Sequence, residues 1–171
     1  HHFEDVFALA DRIAIMREGQ IVQTGETSDV FMHPADTFVA GFLGIGNIIR
    51  GHSSHVGNIT RITPASGPSF VAASGITGDV VATLHAEDII LSGEPFASSA
   101  RNCLPGTVAE ILPSGSTVRI ILDVGFLLTV LLTRESCCEL QLEPGRRVYA
   151  TFKASAVHVI PVTPNKERPG R

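Results

Sequence analysis

The chain has 171 residues, 44% hydrophobic and 18% charged, with a formal net charge of −4. That is enough apolar content for a buried core in one or two small units, and the acidic balance argues against a nucleic-acid binder. The longest apolar stretch, Phe126 to Leu132, is broken by Thr129 and falls far short of the roughly 20 residues of a membrane helix, so no direct membrane insertion is expected. No signal peptide is read in the chain, and Cys103, Cys137 and Cys138 have neither an even count nor a C-x-x-C spacing. A reducing, cytoplasmic setting follows as the expectation, with no zinc site and no other metal site. Charge is unevenly spread: residues 1–98 hold 4 Lys+Arg against 11 Asp+Glu, and residues 99–171 hold 9 against 6.

In chain order, Glu4 to Ala10 reads as the end of an amphipathic helix. Arg12 to Met16 and Gln20 to Thr24 read as a hairpin around Glu18-Gly19. Two helices are expected next, the first capped by Thr27 or Ser28, the second opened by Pro34, with Asp36 in its first turn and Gly44 ending it. From Asn47 the texture changes to short strands punctuated by Gly, Ser and Pro, as in "GHSSHVGNITRITPASGPSF" and "AASGITGDVVATL". Strands are then predicted at Leu104 to Leu112, Thr117 to Asp123, Phe126 to Thr133, Val148 to Lys153 and Ala156 to Ile160, with one helical turn at Glu135 to Leu140. The fold class expected is mainly β: a small oligomer-binding-like barrel behind a helix, hairpin and two helices. Pro161 to Arg171, rich in proline and charge, reads as a disordered tail.

The first of these regions resembles the tail of an ATP-binding-cassette (ABC) ATPase, through "ALADRIAIM", "EGQIVQTG" and "DVFMHPADTFVAGFLG", over Phe3 to Gly44. On that resemblance His1 falls on the switch-loop histidine that contacts the ATP γ-phosphate, and is the one catalytic candidate. The plain alternative is that His1 and His2 are the remnant of a histidine tag. No phosphate loop of the G-x-x-x-x-G-K-[ST] type and no Asp-Glu-ended strand occurs, so the chain alone is not expected to hydrolyse ATP. Leu91-Ser92-Gly93-Glu94 imitates the cassette signature but stands in the wrong place, and is read as coincidence. Residues 47–95 resemble the first half of a transport-associated oligomer-binding (TOBE) domain, ending in "LHAEDIIL", where His85 and Ala86 stand in place of the family's Arg and Pro.

Three later segments carry the ligand chemistry. Ser99-Ala100-Arg101-Asn102, Thr133-Arg134-Glu135-Ser136 and Phe152-Lys153-Ala154-Ser155 offer hydroxyls, amides and cations, the set a tetrahedral oxyanion needs. Taken singly, such residues are turn formers and solvated charges. Together they resemble the Mop-type molybdate- and tungstate-binding domain. The resemblance implies Ser99, Ala100, Arg101, Asn102, Thr133, Ser136, Lys153 and Ala154 as oxyanion-binding residues. In that family one barrel half or subunit supplies the Ser-Ala-Arg-Asn strand and another the Thr-x-x-Ser and Lys segments, so a homodimer is implied.

Four units are expected: an ATPase remnant at 1–46, a first TOBE/Mop-like half at 47–98, the Mop-type segment at 99–160 and the tail at 161–171. The leading functional reading is a regulatory molybdate or tungstate domain of an importer's ATP-binding subunit, at the inner face of the membrane through its permease subunits. ATP and Mg would belong only to the full-length parent. A TOBE domain of a sugar, polyamine or other importer, acting as an interaction module without an anion, is the second reading. A stand-alone molybdenum-storage protein is the third, opposed by residues 3–44. Glu87 and Asp88, as neighbours in a strand, are expected to face opposite sides and not to work as a catalytic pair.

Overall fold

The computed structural model describes Val6 and residues 9–162; His1, most of the first predicted helix and residues 163–171 lie outside the described residues. The first unit begins with β1 (Arg12–Arg17) and β2 (Gln20–Glu26), paired antiparallel. Glu18 and Gly19, with φ of 50° and 77°, form the tight turn whose positive φ angles match the twist of such a hairpin. Helices α1 (Thr27–Met32) and α2 (Thr37–Phe42) close over it around a small core of Ile15, Val30, Phe31, Val39, Ala40, Leu43 and Ile45. The unit leaves Met16, Ile21 and Phe42 exposed.

Two cap assignments differ from expectation. Helix α1 has Glu26 at its N-cap without a side-chain bond, because the Thr27 hydroxyl donates instead to the Ala10 carbonyl. Helix α2 starts three residues after Pro34, with Asp36 as the cap accepting the Val39 N–H at 2.8 Å; an acidic side chain satisfies a free helix donor better than proline does. Gly44, at φ 71°, ends the helix as predicted.

The barrel is built from two five-stranded antiparallel sheets. Their strands are β3 (Asn47–Val56), β4 (Ile59–Pro64), β5 (Phe70–Ala72), β6 (Gly78–Leu84), β7 (Ile90–Ser92), β8 (Asn102–Ser114), β9 (Thr117–Asp123), β10 (Leu127–Thr133), β11 (Arg147–Phe152) and β12 (His158–Pro161). One sheet runs β12-β6-β3-β4-β5 and the other β10-β9-β8-β11-β7. The orders are mirror copies of one five-strand plan, except that the last strand of each half crosses over. Strand β7 pairs with β11, and β12 returns to pair with β6. A single apolar core joins both sheets, from Ile49, Ile62 and Leu84 on one side to Leu104, Ile120 and Phe152 on the other. Short helix α3 (Arg134–Glu139) follows β10, and two 3-10 turns, Ala86–Asp88 and Ala154–Ala156, precede the crossing strands.

The second 3-10 turn replaces the start of the strand predicted at Ala156, which begins only at His158. The first carries Glu87 and Asp88, which therefore sit on a turn rather than on the opposite faces of a strand.

The repeat has a sequence trace. Asn47-x-Ile49-x-Gly51 opens one half and Asn102-x-Leu104-x-Gly106 the other. Both glycines are needed for close approach: a Cβ on Gly51 would meet the Thr63 carbonyl oxygen at 2.7 Å, and one on Gly106 would meet Val124 at 2.7 Å and Leu122 at 2.8 Å. The two asparagines tie the sheets together. Asn102 accepts the Val71 N–H at 2.8 Å and donates to the Val71 carbonyl at 2.9 Å. Asn47 accepts the Thr129 N–H at 2.6 Å and donates to the Thr129 and Leu84 carbonyls at 2.9 and 3.1 Å. Each amide thus imitates a short piece of strand backbone across the seam, where an unpaired N–H or C=O would be costly.

Candidate functional site

The register of β8 and β11 puts two predicted segments side by side. Asn102 pairs with Phe152, so Arg101 and Lys153 stand just beyond the last pair at the same end of the sheet. Between Lys153 and the turn Ala86–Asp88 lies a cavity of about 370 Å³. Its wall includes Ser98, Ser99 and Ala100 from the loop before β8, Thr151, Phe152 and Lys153 from the end of β11, and Glu87 and Asp88. Ser98 shapes the loop by accepting the Ala100 N–H at 3.2 Å, a local side-chain turn. The cavity therefore offers an ammonium and several hydroxyl and amide groups, opposed by two carboxylates. Burial holds the Asp88 carboxyl above its usual 3.8; the His85 ring beside it acts in the opposite direction, and the Glu87 charge acts in the same one.

The remaining predicted residues are distributed differently. Asn102 is 3% exposed and its side chain is bonded to the Val71 backbone; it anchors the strand that presents Ser99 and Ala100. Ala154 is buried and opens the second 3-10 turn, with its carbonyl accepting the Ala73 N–H at 2.9 Å. Arg101 is exposed. Thr133 caps α3, accepting the Ser136 N–H at 3.1 Å while its hydroxyl bonds the Ser136 hydroxyl at 3.0 Å.

Thr133 pairs with Thr117, and Thr117 with Ser114, which closes the far end of β8. The 13-residue β8 spans about 40 Å of contour at about 3.3 Å per residue. Thr133 and Ser136 thus stand at the opposite end of the β8–β9 hairpin from Ser99 and Lys153. The Lys153 segment joins Ser-Ala-Arg-Asn within one chain, rather than travelling with Thr-x-x-Ser.

The repeat supplies a counterpart of this cavity. In the first half Gly44 takes the place of Ser99, and His85 that of Lys153. The corresponding cavity, of about 330 Å³, is lined by Leu43, Gly44, His85, Glu87 and Asp88, and by Ser28, Phe31 and Met32 of α1. His85 Nε2 lies 3.2 Å from the Phe31 carbonyl, and its Nδ1 lies 3.8 Å from Glu87. The position where the resemblance leads one to expect an arginine is a docking point for α1. The turn Ala86–Asp88 borders both cavities.

A family model for the TOBE domain matches residues 98–159. The whole chain is also similar to the molybdate/tungstate import ATP-binding protein WtpC of Pyrococcus abyssi, 41% identical over 160 residues, covering 93% of this chain and 45% of that protein. The Pyrococcus horikoshii WtpC is 38% identical, covering 94% of this chain and 46% of its own length. The chain therefore spans a little under half of the curated relatives it matches. Among solved structures, the cytoplasmic molybdate-binding protein ModG with molybdate bound matches at a TM-score of 0.59 and 27% identity, over 67% of this chain and 96% of ModG. The resemblance to TOBE-bearing importer ATP-binding subunits is borne out, as is the mainly β, Mop-like fold.

Sequence reasoning missed Thr151 and the pair Glu87 and Asp88 as wall residues of the cavity. The repeat of Asn-x-Ile/Leu-x-Gly was a usable signal: aligning the two halves puts His85 under Lys153 and makes the turn beside His85 a neighbour of the site.

Proposed function

We propose that this TOBE domain binds a tetrahedral oxyanion, molybdate or tungstate, and regulates the ATP-binding subunit of an importer. The observation that carries the reading is the convergence of Ser99, Ala100 and Lys153 on one cavity. The similarity to WtpC and ModG supports the choice of anion, since molybdate is named in both. Lys153 supplies the charge, while the Ser99 hydroxyl donates to an anion oxygen. The cavity is roomier than a five-atom oxyanion, and the exposed Arg101, next in the chain to Ala100, would be the second cation.

Completion of the site by a second copy is part of the proposal. A homodimer that brings the Thr133 and Ser136 end of one chain against the Ser99 and Lys153 end of the other would supply hydroxyls from both sides. The anion would then stabilise one arrangement of the pair, which is the linkage a regulatory domain needs. The turn Ala86–Asp88, shared between the anion cavity and the α1 contact, supports transmission towards the ATPase-like unit. In the parent, ATP and Mg would bind elsewhere, His1 would act as the switch histidine, and permease subunits would hold the protein at the cytoplasmic face of the membrane. The division at 1–46, 47–98, 99–160 and 161–171 belongs to the same proposal. No helix of the described residues is long and apolar enough to cross a membrane.

The second reading, a TOBE module that contacts transporter partners without an anion, is favoured by one observation: Glu87 and Asp88 line the same cavity as Lys153 and oppose an anion. Calorimetric titration of molybdate, tungstate and sulfate into the chain, into Lys153→Ala and into Ser136→Ala separates the readings. Micromolar or tighter molybdate binding that collapses in both variants, with sulfate silent, is expected. Absence of heat with all three anions would leave the interaction module.

A further inference from the structure

Strand β11 alternates in the usual way. Val148, Ala150 and Phe152 belong to the core, so Tyr149, Thr151 and Lys153 project from the other face. Thr151 is the register partner of Ile90, and partners in an antiparallel ladder share a face. Ile90 is 55% exposed and lines the cavity, which puts the Thr151 side chain on the cavity side. Thr151 itself is only 3% exposed, covered from solvent where Ile90 is not. Among the described residues, its Oγ1 is the one buried side-chain polar atom with no hydrogen-bond partner.

A dry, unpaired hydroxyl is unfavourable, and a valine of the same shape would fill the position without that cost. Two other buried threonine hydroxyls are satisfied: Thr27 donates to the Ala10 carbonyl and Thr60 to the Ser74 carbonyl. The orphan therefore coincides with the candidate anion cavity, two residues before its lysine. We infer that Thr151 is a further ligand of the oxyanion cavity, its hydroxyl donating to an anion oxygen at the cavity floor beneath Lys153 and Ser99. This inference rests on the oxyanion reading above. It adds a neutral donor of fixed direction, held by the β7 and β8 ladders on either side, and such a donor discriminates by placement where a flexible ammonium does not. Ligand-free protein carries the unpaired hydroxyl; bound protein satisfies it.

The test is calorimetric titration of molybdate into the full chain and into Thr151→Val, Thr151→Ser and Lys153→Ala, with thermal melts of each without ligand. Thr151→Val is expected to weaken molybdate binding about tenfold while raising the ligand-free melting temperature by about 2 °C, because it removes an unpaired buried group. Thr151→Ser, which keeps the hydroxyl, is expected to stay within about threefold of the parent chain. Thr151→Val binding as tightly as the parent, while Lys153→Ala abolishes binding, would overturn the Thr151 assignment and leave the anion cavity standing. A parent chain that binds none of the anions would overturn both.

Discussion

The two halves of the barrel use one backbone plan for different ends. At Gly44 and His85 the first half lacks the hydroxyl and ammonium that the second half carries at Ser99 and Lys153, and its cavity is bordered on one side by α1. The scaffolding, by contrast, is shared: Asn47 and Asn102 make matching cross-sheet clamps, and Gly51 and Gly106 allow matching close approaches. A repeated fold thus preserves what holds the sheets together and frees the residues at the mouth. One mouth is a docking point for the helical unit and the other an open cavity, and the turn Ala86–Asp88 borders both.

The strongest way to break the comparison is to remove a clamp. Asn102→Ala leaves the Val71 N–H and carbonyl unpaired, and Asn47→Ala does the same at Thr129; each is expected to cost about 2–4 kcal/mol in chemical denaturation. Equal losses would sustain the equivalence of the halves, whereas a loss at only one asparagine would end it. Next comes the division of labour at the two mouths. Lys153→Ala should lower molybdate affinity at least tenfold without touching the α1 contact. His85→Ala should leave the affinity within about twofold, yet speed amide hydrogen exchange in α1, because it deletes the bond to the Phe31 carbonyl.

A smaller effect concerns pH. Burial raises the Asp88 pKa, so Asp88 takes up its proton at higher pH than an ordinary carboxyl. Below that point its repulsion of an anion disappears, and affinity should rise severalfold as pH falls towards the carboxylate range. The groups facing it are His85, Glu87 and Lys153, and β10, packed against the turn, carries no titratable residue. Asp88→Asn is the control: it should bind more tightly at neutral pH and show a flatter profile.

The smallest expected effect is at His158, where burial lowers the pKa below 6.5, the Pro34 carbonyl and the Asp29 charge act to raise it, and the His33 ring acts with burial. A histidine held neutral in the fold loses stability to protonation as pH falls below its unfolded value, because the unfolded chain takes up the proton more readily. His158→Asn should therefore flatten the acid-side decline of the melting temperature by about 1–2 °C between pH 7 and pH 5.

Local order was legible because local chemistry sets it. Alternating apolar residues marked β9 and β10, the Glu18-Gly19 turn marked the first hairpin, and Gly44 marked the end of α2. The cap of α2 was displaced by three residues because proline and aspartate both signal a helix start, and only the backbone bond to Val39 chooses between them. At the site, Ser99, Ala100 and Lys153 were readable through their motifs, and register brings them together as adjacent segments of paired strands. The Asn102 side chain, read from the sequence among the anion-binding residues, is bonded to the Val71 backbone, and an amide that clamps a distant strand has the same one-letter signature as an amide that binds an anion.

Residue order and type were sufficient for the class of fold, for the family and for three of the residues around the cavity. They left open which sheet receives β7 and β12, where the Asn47 and Asn102 amides are spent, and which hydroxyl is left unpaired. Those outcomes depend on partners 31 to 82 residues away, such as Val71 for Asn102 and Thr129 for Asn47. Hydrogen bonds of that span carry no local periodicity; they are selected only when the two sheets close on a common core and every buried donor must find an acceptor.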